Sequence, residues 1–134
     1  MTITDPGETA VESAPTWWEE FYSRVDVFDP RLADDMLTED TAFTMGNHPT
    51  TVGRAAFKEG VAHLSAIVTR MHHVITRVIE DGENATIEAV CEYTRKDEST
   101  VAIPVLTAIE RRGGLVAAQR VYIDLAPLFA TDKH

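Results

Sequence analysis

The chain has 134 residues, of which 44% are hydrophobic and 25% charged. That is the size and composition of one water-soluble domain with a sizeable core, and it argues against a collagen-like repeat, wholesale disorder or a membrane-buried protein. Twelve basic against 22 acidic side chains give a formal charge of −10, which repels phosphate backbones and anionic lipid. No nucleic-acid or membrane partner is therefore expected, and a neutral small molecule suits the balance better.

Residues 1–15 are rich in Thr, Glu, Pro, Gly and Ala without apolar periodicity, so a mobile lead-in is expected, with the domain running over 16–130. The start has no basic, signal-like segment and no 18-residue apolar run occurs, so a cytoplasmic location is expected. Thr16 with Glu19 fits a capping box, and Trp17, Phe21, Val25 and Phe28 recur at helical spacing behind it. Asp29-Pro30 then opens a short second helix with Leu32, Ala33, Met36 and Leu37 on one side.

A strand is predicted over 41–45, stopped by Gly46-Asn47-His48-Pro49. Between Gly53 and Thr69, Phe57, Val61, Leu64 and Val68 mark the apolar stripe of a third helix. From His72 the period changes to two. Turn signals at Asp81-Gly82, around Asp97-Glu98-Ser99 and at Gly113-Gly114 divide four strands, near 72–80, 85–95, 100–111 and 115–125. Their connections are too short for crossover helices, so the second half is an antiparallel meander. The predicted class is α+β, with three N-terminal helices on a curved, mostly antiparallel sheet.

The lone Cys91 lies in an apolar alternating run and reads as a buried, inert thiol; it leaves no intrachain disulfide or cysteine cluster. His72 and His73 point to opposite faces of a regular strand and cannot jointly grip a metal, and no His-x-x-x-His or spaced acidic cluster occurs, so no metal is expected. No Gly-x-Gly-x-x-Gly, phosphate loop or nucleophile elbow is present, so no cofactor is expected.

The order helix, helix, short strand, Gly53-Arg54-Ala55-Ala56-Phe57, meander, then the ending from Arg120 to Leu128, resembles the SnoaL-like group of the nuclear transport factor 2-like superfamily. Asn47-His48-Pro49, the Tyr93-to-Asp97 hairpin and Pro104 add to the likeness. The resemblance implies a cone whose open end holds a pocket for a small, mostly apolar molecule, and a homodimer through the sheet. Relatives include polyketide cyclases, ketosteroid isomerases, limonene epoxide hydrolases, dehydratases and non-catalytic binding proteins, so fold alone does not fix function.

Aligned on these landmarks, the ketosteroid isomerase tyrosine falls on Phe21, the base on Thr44 or Met45 and the protonated acid on Leu106. Tyr22 restores the donor only if that register is off by one. Against the epoxide hydrolases the acid falls on Val121, while the water-activating carboxylate aligns with Glu92 only for a hairpin two residues shorter. Glu92 shares its phase with Glu88, Val90 and Thr94, opposite to Ile87, Ala89, Cys91 and Tyr93. Outward, it is a solvated strand residue. Inward, Val90 and Glu92 enter the pocket together, and desolvation makes Glu92 a general acid or base.

His48, in the loop after the first strand, is the second catalytic candidate, as a proton carrier at the pocket mouth. In the last strand Gln119, Val121 and Ile123 share one face and Arg120, Tyr122 and Asp124 the other; the resemblance implies that the first set faces the pocket and the second an outer, dimer-forming face. The expected ligand-binding set is Trp17, Phe21, Met45, Val90, Leu106, Gln119 and Val121. Two functions remain open at this point: cofactor-free acid/base chemistry of cyclase, isomerase, dehydratase or hydrolase type, or a non-catalytic binding or dimerisation module.

Overall fold

A computed structural model describes residues 2–4 and 14–130. Helix α1 (Trp17–Asp26) begins at the expected capping box: the Thr16 side chain accepts from the Glu19 N–H at 3.1 Å, and Glu19 accepts from the Thr16 N–H at 2.9 Å. Its buried side chains are Trp18, Phe21 and Tyr22. Helix α2 (Leu32–Met36) follows a turn in which the Asp29 side chain accepts from the Arg31 N–H. This carboxylate organises the entry as the Asp-Pro pair suggests, although the N-cap itself is Arg31.

Strand β2 (Leu37–Met45) starts four residues before the predicted boundary, directly on the end of α2, and pairs with a two-residue strand β3 (Thr51–Val52) beyond the Gly46-to-Thr50 turn. Helix α3 (Arg54–Ser65) ends earlier than its apolar spacing suggests. Val68 belongs to the sheet, where the β-branched Ile67-Val68-Thr69 run favours extended backbone.

The meander is β4 (Val68–Asp81), β5 (Asn84–Arg95), β6 (Thr100–Arg112) and β7 (Leu115–Ile123), each pair antiparallel. Gly82, Gly113 and Gly114 adopt positive φ in the tight turns between them, which is where glycine is needed. Including β1 (Thr2–Thr4), the sheet order is β1-β4-β5-β6-β7-β2-β3, with β2 and β7 its one parallel pair. The expected mobile lead-in thus contributes an edge strand at residues 2–4, paired antiparallel with β4; the rest of that expectation, residue 1 and residues 5–13, lies outside the described residues.

Helices α1, α2 and α3 precede the meander, and a further helix, α4 (Ala126–Phe129), follows it. Odd-numbered side chains of β5 and β6, such as Ile87, Cys91, Ile103 and Ile109, are buried beneath the helices. Phe57 anchors α3 there by meeting Phe43 of β2 edge to face at 5.4 Å. Among the described residues no helix is long and apolar enough to cross a membrane.

Candidate functional site

The helices and the concave side of the sheet do not fill the space between them. A cavity of about 460 Å³ remains, walled by Phe21, Tyr22 and Phe28 from α1 and its exit, Phe57 and Val61 from α3, and Val105, Val121 and Ile123 from the sheet. Leu125, Leu128 and Phe129 close over it from the C-terminal end. The α4 segment is held there by Arg95, whose Nε and Nη2 donate to the Leu128 and Pro127 carbonyls at 2.9 and 2.7 Å. The size and apolar lining fit a small organic ligand.

One polar pair stands out on this wall. His73 faces the cavity from β4, and its Nδ1 lies 2.6 Å from Oδ1 of Asp26 at the end of α1. Both side chains are about nine-tenths buried, at 11% and 12% exposure. The other carboxylate oxygen accepts the backbone N–H of His73 at 2.9 Å. Among the described residues β1 pairs with β4 only at residues 78–80, and the His73 N–H goes to this carboxylate. Strand backbone and helix end therefore fix the same ring.

A carboxylate on Nδ1 selects the tautomer with its proton there and leaves Nε2 as the acceptor, the arrangement a general base needs. Tyr22 packs its ring against His73 at 4.7 Å between centroids and against Phe21 edge to face at 5.2 Å. Burial pushes the Tyr22 phenol up to about 12 despite a hydrogen bond with Thr107, so at neutral pH it is an O–H and not a phenolate. Tyr93 and Cys91 are raised by burial in the same way, Cys91 to about 12. The thiol is inert, as the alternating run around it implies.

At the cavity margin Arg24 is committed: Nε donates to Asp29 and Nη2 to Asp35, each at 2.6 Å. The Arg31 N–H and then Arg24 hold the Asp29 carboxyl below its usual range. Gln119 is 4% exposed and lines the cavity, and its Nε2 has no hydrogen-bond partner.

Of the residues expected from the sequence, Phe21, Met45, His48, Gln119 and Val121 line this cavity, His48 from an exposed position. Glu92, Trp17, Val90 and Leu106 do not. Glu92 is exposed and belongs to a separate groove of about 870 Å³ that it shares with His72, Thr94 and Ala102, so the desolvated inward carboxylate is corrected to the solvated outward one. Val90 goes with it, because both are out of phase with buried Ala89, Cys91 and Tyr93. Leu106 faces outward, and the inward neighbours are Val105 and Thr107. Trp17 packs under the Arg111 guanidinium, 4.1 Å from the ring centre, with its Nε1 donating to Glu80 at 3.0 Å.

The residues that sequence reading passed over are Asp26 and His73. Tyr22 and Asp26 are four apart on one helix, and His73 interrupts the inward series Met71, His73, Ile75. A polar residue in the inward phase of both elements was the available signal.

No curated protein matches the sequence. Among solved structures, a protein of ketosteroid isomerase-like fold from Catenulispora acidiphila DSM 44928, in complex with trimethylamine, superposes with a TM-score of 0.76 at 21% identity, over 87% of this chain and 91% of that one. A candidate polyketide cyclase from Xanthomonas campestris pv. campestris gives 0.75 at 20% identity, over 83% and 90%. An LEH-like epoxide hydrolase of M. tuberculosis gives 0.71 at 18%, over 84% of each chain. These likenesses concern the fold. The sequence itself matches the SnoaL-like domain over residues 18–119, most of its length, and the chain belongs to that family.

Proposed function

We propose that the protein binds a small, mostly apolar molecule in the cone and performs cofactor-free acid/base chemistry on it, with His73 as general base and Asp26 as its positioning residue. The observation that carries this reading is the 2.6 Å contact between His73 Nδ1 and Asp26 at the wall of an otherwise greasy cavity. His73 Nε2 removes a proton from a carbon acid or a water, Asp26 steadies the imidazolium that results, and the neutral Tyr22 O–H beside the ring supplies a donor for developing oxyanion charge. This is the proton-transfer step that isomerase, cyclase and dehydratase reactions share; Glu92 has no part in it.

The test uses the carbon acid 1-tetralone in D2O, with deuterium uptake beside the carbonyl followed by NMR. The wild type is expected to accelerate uptake, and His73→Gln to lose that acceleration while retaining the thermal stabilisation the ketone confers. Stabilisation with no acceleration in the wild type would leave a binding module.

The outer face of the sheet supports a second element of the proposal, a homodimer. Val74, Val90 and Pro104 are register partners across β4, β5 and β6, and Leu106 stands opposite the 57%-exposed Tyr122. An apolar row of this kind on an open sheet face suits a self-complementary contact. Sedimentation of wild type against Val90→Lys tests it, with dimer expected for the first and monomer for the second.

A further inference from the structure

Three buried side-chain atoms without a hydrogen-bond partner occur among the described residues, on Thr38, Arg111 and Gln119. Only Gln119 lines the cavity. Its Nε2 is sealed from water yet paired with nothing, in a fold whose other inward positions on β7 are apolar. A buried amide donor left unpaired costs free energy that an acceptor brought in from outside recovers. Gln119 is also register partner to Ile109, one inward position from Thr107, which lines the cavity with Tyr22. His73, Tyr22, Thr107 and Gln119 are thus among the polar residues lining one cavity.

The charge of the lining narrows the ligand further. Arg24 is the one guanidinium or ammonium group among the lining residues, and Asp29 and Asp35 already occupy it. An anionic ligand would find no free countercharge there, in a chain that carries −10 overall.

We infer that Gln119 is the specificity residue of this cavity, turning its amide N–H2 onto an oxygen acceptor of an uncharged ligand. The inference deepens the proposed function by naming the ligand class, neutral carbonyl compounds, and it rests on that reading only for the cavity being a ligand site. A hydrocarbon of the same shape leaves the donor unpaired, and a carboxylate is refused for want of a cation.

The test measures affinity by titration calorimetry at pH 8 for 1-tetralone, for tetralin, which lacks the oxygen, and for 1-naphthoate, which carries a negative charge. The wild type is expected to prefer the ketone over the hydrocarbon by about tenfold and to bind naphthoate more weakly than the ketone. In Gln119→Leu the ketone preference is expected to vanish while tetralin is held as well as before; Gln119→Met serves the same purpose should the leucine variant not fold. Equal binding of ketone and hydrocarbon by the wild type, absence of binding by both, naphthoate binding above the ketone, or a preference that survives both substitutions would each overturn the inference. The same titrations on His73→Gln separate the two proposals. A ketone preference intact in an inactive His73→Gln supports both, one intact in a His73→Gln that still exchanges deuterium removes only the base, and one lacking while His73 remains essential removes only the role of Gln119.

Discussion

Asp26 holds His73 by two atoms at once, the ring Nδ1 at 2.6 Å and the backbone N–H at 2.9 Å, so the carboxylate orients the imidazole and its strand together. Asp26→Asn keeps the shape but offers a neutral amide where the ring needs an anionic acceptor. The tautomer is no longer fixed and the imidazolium loses its partner. Proton-transfer activity on 1-tetralone is expected to fall by roughly 10²- to 10⁴-fold, as for loss of a general base, with a stability loss of only about 1–2 kcal/mol. Deuterium uptake and urea unfolding of the same variant read the two effects apart. A variant as active as the wild type would remove Asp26 from the mechanism.

Glu92→Gln is expected to do almost nothing. The side chain is exposed on the convex side, its register partners are His72 and Ala102, and no hydrogen bond or ion pair engages it among the described residues. A change in stability within about 0.5 kcal/mol, and no change in deuterium uptake, is the expectation for such a surface site. A large loss of activity would return the chemistry to the outer groove.

The order of elements was legible because each left a local mark: the Thr16/Glu19 box, the glycines of the hairpin turns and the change of period at His72. The inward phase of β7 came from the family resemblance and not from a local mark, and Gln119, Val121 and Ile123 all line the cavity. The face taken by Val90, Glu92 and Leu106 was not legible. Alternation separates two sets of side chains but does not say which set meets the helices, and for β5 both sets contain residues that can be buried. The dyad escaped for a different reason. Asp26 and His73 are 47 residues apart and meet only where the end of α1 packs on β4, a fact of three-dimensional geometry.

Alkaline pH should expose the cost of burying Tyr22. Its phenol titrates near 12 in the folded chain and near 10 when unfolded, because burial disfavours the phenolate. Below pH 10 both states keep the proton and the residue contributes no pH dependence. Between pH 10 and 12 the unfolded state ionises first and gains, so stability falls as pH rises, by about 3 kcal/mol at most for this group. Tyr93 and Cys91 are raised by burial and act in the same direction. Urea midpoints at pH 8, 10 and 11 are expected to decline for the wild type and to decline less steeply for Tyr22→Phe. Equal slopes would mean that the phenol is solvated.

Cys91 gives a chemical check on the same core. The thiol is fully buried, and desolvation keeps it protonated far above neutral pH. Reaction with iodoacetamide at pH 8 should therefore proceed only through opening of the structure, and urea should accelerate it by several orders of magnitude. Rapid alkylation of the native protein would contradict the packing of β5 under the helices.

Arg54 explains what the Gly-Arg pair at the head of α3 accomplishes. Gly53 has φ +101, a conformation that side chains resist, and this turn brings Arg54 back over the start of β2. There its Nε and Nη2 both donate to one acceptor, the Leu37 carbonyl, at 3.1 and 2.7 Å. Leu37 is itself fully buried where α2 ends and the sheet begins. The guanidinium therefore ties the helix carrying Phe57 and Val61 to the junction below it, and so sets one wall of the cavity. Arg54→Met retains the apolar stem but leaves the carbonyl without this donor; a loss of about 1.5–3 kcal/mol is expected for a charge-assisted pair of bonds. Arg54→Lys should recover only part, since an ammonium cannot reproduce the two-pronged approach. Urea midpoints at unchanged m measure both effects. A methionine variant as stable as the wild type would mean that water replaces the guanidinium at Leu37 without cost, and that α3 is held by Phe57 and its apolar neighbours alone.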